Sequence, residues 1–233
     1  MRSVLTLGMV LSLTAQDPPA PSPVPDLPAA ALPAAQRGPL AVALVLAASS
    51  VPAGIITSED PDRDPGIPQA PPGSAAVSGA AVARRLLTRH PRYAVEWRRG
   101  VMGIEPRQSV CGEQLTATTL GPATVEGRVA QVLVLLGWIA SGDPSPAHRG
   151  VVSQIAIGRA EPGPPAPPRA LRLVLSKTVT LREALDELVR QNAAGVWTVW
   201  QHTRPDGAVG CRLIGYFPDG VVVASNTDFA VVP

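Results

Sequence analysis

Thr180 and Glu183 stand three residues apart at the head of an apolar stripe, and this spacing organises the most informative stretch of the chain. It is a capping box, in which each side chain satisfies a backbone donor that the first helical turn leaves without a partner. Leu181, Ala184, Leu185 and Leu188 follow at i, i+3, i+4 and i+7. The spacing predicts one buried face, with Arg182, Glu183, Asp186, Glu187 and Arg190 turned to water. Before this helix, Leu171, Leu173 and Leu175 alternate with Arg172 and Val174, a short strand with one apolar face. After it, Asn192 and Gly195 suit a helix end, and Val196 to Trp200 is rich in branched and aromatic side chains. Pro205-Asp206-Gly207 and Pro218-Asp219-Gly220 then predict two tight turns. They would join Val196 to Trp200, Cys211 to Phe217 and Val221 to Ala224 as an antiparallel meander, giving the order β-α-β-β-β.

A shorter version of this plan lies between Val77 and Pro106. Val82, Leu86 and Leu87 mark a helical stripe that Pro91 ends, because the residue before proline disfavours helical geometry. Tyr93, Val95 and Trp97 alternate with polar neighbours, and Arg98-Arg99-Gly100 turns the chain into Val101 to Ile104. Val125 to Ile139 is apolar around most of its circumference, so it is expected as a helix buried between the two units. Val151 to Ile157 reads as a strand. The expected class is α+β, with two small β-α-β-β type units packed with a central apolar helix.

The remaining segments are read as export signal, tether and linkers. Arg2 precedes the uncharged run Val4 to Leu13, and Ala15 offers a cleavage point, so residues 1–15 read as a secretory signal. Residues 16–39 are rich in Pro and Ala and are expected to be a disordered tether. The first unit then spans 40–107 with an acidic linker at 59–74, a connecting helix and strand span 108–160, a Pro-rich linker spans 161–169, and the second unit spans 170–233. Leu40 to Ile56 carries no charge, but Pro52 and Gly54 interrupt it. A helix to about Ala48 followed by a strand fits better than a membrane span, so no stable span is expected after signal cleavage.

The formal charge of +2 gives no general attraction to nucleic acid or anionic membranes, and no nucleic-acid partner is expected. Arg84, Arg85, Arg89, Arg92, Arg98, Arg99 and Arg107 stand against Glu96 and Glu105 with Tyr93 and Trp97 interleaved; the expected reading is a solvated helix face and hairpin whose arginines cover aromatic area, and the alternative is an anion or nucleic-acid surface. Cys111 and Cys211 are too far apart in sequence for a metal or redox pair, and in an oxidising compartment their even number points to one disulfide. His90, His148 and His202 have no second ligand at helical or turn spacing, and no nucleophile-elbow, metalloprotease or phosphate-loop motif is present. No catalytic residue, metal or cofactor is expected. The candidate contact surface is Arg92, Trp97, Arg98, Arg99, Trp197 and Trp200, with Trp197 and Trp200 on opposite faces of their strand.

Thr180 to Val189, followed by Val196 to Val199 and Val221 to Val223, resembles the short N-terminal module of secretins and TonB-dependent receptors, the STN or secretin N0-like domain. Val82 to Ile104 looks like a looser copy. The resemblance implies a cell-envelope module that docks on other proteins and carries no catalytic residues. The leading expectation is therefore an exported, non-catalytic protein that binds another envelope protein. The alternative is a small secreted hydrolase or ligand-binding enzyme with its site between the two lobes, near His202 or the arginine-rich hairpin.

Overall fold

The computed structural model describes residues 25–59, 75–109, 111–141, 153–155, 170–217, 220–223 and 229–230. The N-terminal part forms β1 (Leu27–Pro28), α1 (Ala31–Arg37), α2 (Pro39–Ala48), β2 (Ala53–Thr57), β3 (Ala76–Val77), α3 (Gly79–Arg89), β4 (Tyr93–Arg98) and β5 (Val101–Pro106). The middle forms α4 (Cys111–Ala117), β6 (Thr119–Leu120), β7 (Ala123–Gly127), α5 (Val129–Ser141) and β8 (Ser153–Ile155). The last part forms β9 (Leu171–Leu175), β10 (Val179–Thr180), α6 (Leu181–Gln191), β11 (Val196–Thr203), β12 (Val209–Phe217), β13 (Gly220–Val223) and β14 (Phe229–Ala230).

The protein is α+β, built on one eight-stranded mixed sheet in the order β4-β5-β2-β11-β12-β13-β8, with β14 pairing the start of β12. β2 lies inside it, parallel to β5 on one side and to β11 on the other. Ala53, Ile55 and Ile56 of β2 are fully buried, as suits a strand covered on both faces. The predicted meander is present: Val196 faces Tyr216, Thr203 faces Val209, and Tyr216 faces Val221. The Pro205 turn closes with the Arg204 amide donating to the Ala208 carbonyl at 2.8 Å. Pro218, Asp219 and Ala224 lie outside the described residues, as do the expected signal at 1–15 and the linker at 161–169.

Strands from both expected units thus meet in one sheet through the β2–β11 pair. β9 does not join it and pairs instead with β7. Its buried Leu171, Leu173 and Leu175 alternate with exposed Arg172 and Val174, and such a one-sided strand suits a small outer sheet better than an interior with two covered faces.

One face of the main sheet is covered by α1, α2 and α3 with the β1–β3 pair, the other by α4, α5 and α6 with the β6–β10 and β7–β9 pairs. The apolar helix expected between the units, α5, packs on the second face against α6, β7 and β12. It begins at Val129, because Gly127 at φ 149° ends β7, where Val125 sits. The most enclosed helix is α2, buried at every residue from Pro39 to Ala47. No helix among the described residues is long and apolar enough to cross a membrane.

The N-terminal boundary requires a correction. Residues 27–37, expected within a disordered tether, form β1 and α1, with Leu27, Ala31, Ala34 and Ala35 buried. The three alanines fall on one helical face, and α2, apolar on all sides, offers them a surface that no local composition count reveals.

Candidate functional site

Gly103, Gly54, Trp197 and Gly215 occupy one row across β5, β2, β11 and β12. Glycines inside β-prone runs mark a close approach to backbone, and here large groups fill the space. A Cβ on Gly54 would overlap the Trp197 indole, and one on Gly103 would overlap the Arg98 guanidinium.

Asp186, on α6 above this row, holds both groups. Its Oδ1 accepts from Trp197 Nε1 at 2.8 Å, and its Oδ2 accepts from Arg98 Nε at 2.9 Å. Arg98 Nη1 also donates to Glu105 at 2.8 Å. Arg182 Nη1 reaches Glu105 Oε2 at 2.6 Å, and Arg182 Nη2 donates to Thr116 Oγ1 at 3.0 Å. A continuous polar chain therefore runs from β11 through α6, β4 and β5 to α4. The helical spacing had turned Arg182 and Asp186 to water, yet their side chains are only 24% and 13% exposed. α6 lies beside strands that present Arg98 and Glu105 instead of apolar groups, so its polar flank has ionic partners to bury against.

Burial pushes the Asp186 carboxyl above its ordinary range, while the Arg98 guanidinium and the Trp197 N–H pull the other way. For Arg98, burial works against the charge, but Asp186 and Glu105 outweigh it and hold the guanidinium above the ordinary arginine value. A cleft of 370 Å³ opens outside the network, rimmed by Trp97, Arg99, Glu183, Glu187 and Arg190. Arg99 at φ 49° and Gly100 at φ 85° form the two-residue turn that carries the β4–β5 hairpin beside it.

The six residues expected at a contact surface separate into two groups. Trp97, Arg98 and Arg99 gather at this cleft, with Trp197 fully buried beneath. Arg92, just before β4, and Trp200, within β11, line a different opening. There, a crevice of 740 Å³ opens at the carboxyl ends of the parallel strands β2, β5 and β11, lined among others by Ser58, Arg92, Tyr93, Gln108, Trp200 and His202. It forms because the chain leaves β2 for α3 on one face and leaves β5 for α4 on the other. Trp200 and His202 stack with ring centres 4.6 Å apart, and the Arg92 guanidinium lies 5.6 Å above the Tyr93 ring. The Tyr93 hydroxyl lies 3.3 Å from Thr57 Oγ1.

The crevice brings Ser58 and His202 to one place, but among the described residues no carboxylate lines it. Asp206 is engaged in its own turn, accepting from the Ala208 amide at 3.0 Å. Asp219 and His148 lie outside the described residues. Among the described residues, no group of His, Cys, Asp and Glu could hold a metal ion.

A disulfide joins Cys111 of α4 to Cys211 of β12 and closes a loop of 100 residues. Gln201, opposite Cys211 in register, accepts from the amides of Cys111 at 3.2 Å and Gly112 at 3.4 Å. The start of α4 is therefore fixed twice beside the crevice floor. Asp186, Glu105, Gly54 and Gly103 were not legible as site residues. The available signal was a glycine inside each of two β-prone runs, Ala53 to Ile56 and Met102 to Ile104.

No protein family, curated protein or solved structure matches the chain.

Proposed function

We propose that the protein is an exported, non-catalytic module of the cell envelope that binds an extended segment of another protein along β4 and the cleft at its hairpin. The observation that carries this reading is the position of β4. It ends the main sheet, pairing with β5 alone among the described strands, and its hairpin borders the cleft rimmed by Trp97 and Arg99. An end strand offers a row of backbone donors and acceptors to an added strand, and an aromatic with flanking charges supplies side-chain selectivity. The ionisable groups beneath the cleft, Asp186, Glu105, Arg98 and Arg182, are engaged with one another. They serve to hold the binding edge in shape rather than to move protons. The apolar run Val4 to Leu13 and the disulfide agree with an oxidising compartment outside the cytoplasm.

Site-specific photo-crosslinking in cells tests the reading. A photoreactive residue at Glu96, whose side chain is 66% exposed on β4, should give one discrete product with another envelope protein. Arg99→Glu should abolish that product. A control at Val174, exposed on the small sheet, should give none. Equal labelling at both positions, or a product indifferent to Arg99→Glu, would count against it.

A further inference from the structure

We infer that the crevice at the carboxyl ends of β2, β5 and β11 is a second binding site, one that takes a small organic anion with a flat apolar body. This goes beyond the protein-docking reading and lies at the opposite end of β4. The position follows from topology. The neighbouring parallel strands β2 and β5 lead on to helices on opposite faces of the sheet, and open α/β sheets bind ligands at the strand ends of such a switch point. A volume of 740 Å³ is within the range of small-molecule pockets.

The lining gives the sign of the ligand. Arg92 stands in the crevice, and no carboxylate lines it among the described residues. Two described acids close in sequence to the lining residues are engaged elsewhere. Glu59 accepts from the Leu40 amide at the start of α2 at 2.9 Å, and Glu105 points into the network on the opposite face of the sheet, with Arg98 and Arg182. Among the described lining residues, an anion entering the crevice therefore meets a guanidinium and amide or hydroxyl donors. The apolar body has a surface as well: Trp200 and His202 form a continuous stacked wall, with Pro106 and the Tyr93 ring also lining the space. Gln108 lines the same crevice as Arg92 and adds an amide able to donate to an anion.

The test is calorimetric titration of the full chain with 2-naphthoate and with its neutral counterpart 2-naphthylmethanol. Saturable binding of naphthoate is expected. Arg92→Gln should weaken it by about tenfold while changing the alcohol by less than about twofold. Trp200→Leu should weaken both probes. Gln108→Ala, a surface change with no burden on the core, should weaken naphthoate alone and guards against misreading a loss of folding in the Trp200 variant. No saturation by about 10 mM naphthoate, or equal affinity in wild type and Arg92→Gln, overturns the proposal. The Glu96 crosslink reads the other end of the sheet, so either proposal can fail while the other stands.

Discussion

The indole of Trp197 rests on the backbone of Gly54, its neighbour across the parallel pair of β2 and β11. The glycine is the only residue type that leaves the ring this space. Gly54→Ala should therefore destabilise the protein by about 1 to 3 kcal/mol through overpacking, although alanine is otherwise the better strand residue. Trp197→Leu alone should cost about 3 kcal/mol through the cavity it leaves. Combining them should cost clearly less than the sum, because the smaller side chain vacates the space the new methyl needs. Urea denaturation of the three variants reads this coupling, and simple additivity would refute the contact.

Asp186 holds Trp197 and Arg98 together, and its removal leaves a partly buried guanidinium with one partner fewer. Asp186→Ala should lower stability by about 3 kcal/mol. Asp186→Asn should cost less, since an amide oxygen still accepts from one donor. In the Asp186→Ala background, Arg98→Ala should be milder than in the wild type. A double-mutant cycle with no coupling would show that the two residues act independently.

Acid should weaken the start of α6. The Glu183 carboxyl is held below its ordinary range chiefly by the Thr180 backbone amide, and Glu187 is lowered chiefly by Arg190. A depressed folded-state pKa means that the unfolded chain binds more protons. The contribution is therefore full above the ordinary glutamate pKa and is lost as pH falls through the lower folded-state values. Asp186, raised by burial, has the opposite sign, its contribution being lost as pH rises. Thermal unfolding of Glu183→Gln across the acid range should show a shallower loss than wild type. An identical slope would remove Glu183 as a source of the acid sensitivity.

Reduction should loosen the crevice floor before the rest. In the chain-entropy view, closing a loop of about 100 residues contributes up to about 4.7 kcal/mol, so the Cys111→Ser, Cys211→Ser variant should unfold at markedly lower urea. Hydrogen exchange should rise first in α4, whose opening turn keeps its hydrogen bonds to Gln201 but loses the covalent tie. Uniform exchange throughout the chain would contradict this order.

Local chemistry was legible and long-range register was not. The Thr180 and Glu183 box, the stripe through Leu188, the Arg99-Gly100 hairpin and the meander from Val196 to Val223 rest on near neighbours, and each is present. The parallel pairing of β2 with β11 joins Ala53 to Val196, and nothing in either segment names the other. The same limit hid the candidate sites. Asp186 has the spacing of a solvent-facing residue, and only the arrival of Arg98 and Trp197 from distant strands turns it inward. Arg92 and Trp200 were legible as residues of interest, but their shared crevice depends on three strands ending together.

That central parallel pair also sets a timetable. During synthesis β2 can meet β5 soon after both are made, yet its other edge waits until residues past Thr203 have left the ribosome. Sheets closed by such distant partners assemble slowly, because loop closure must precede the gain in contacts. A half-finished chain would present Ile55 and Ile56 on an open edge, a surface open to chaperones or to a neighbouring copy. The last third of this protein thus acts on the first third as an internal protector against aggregation.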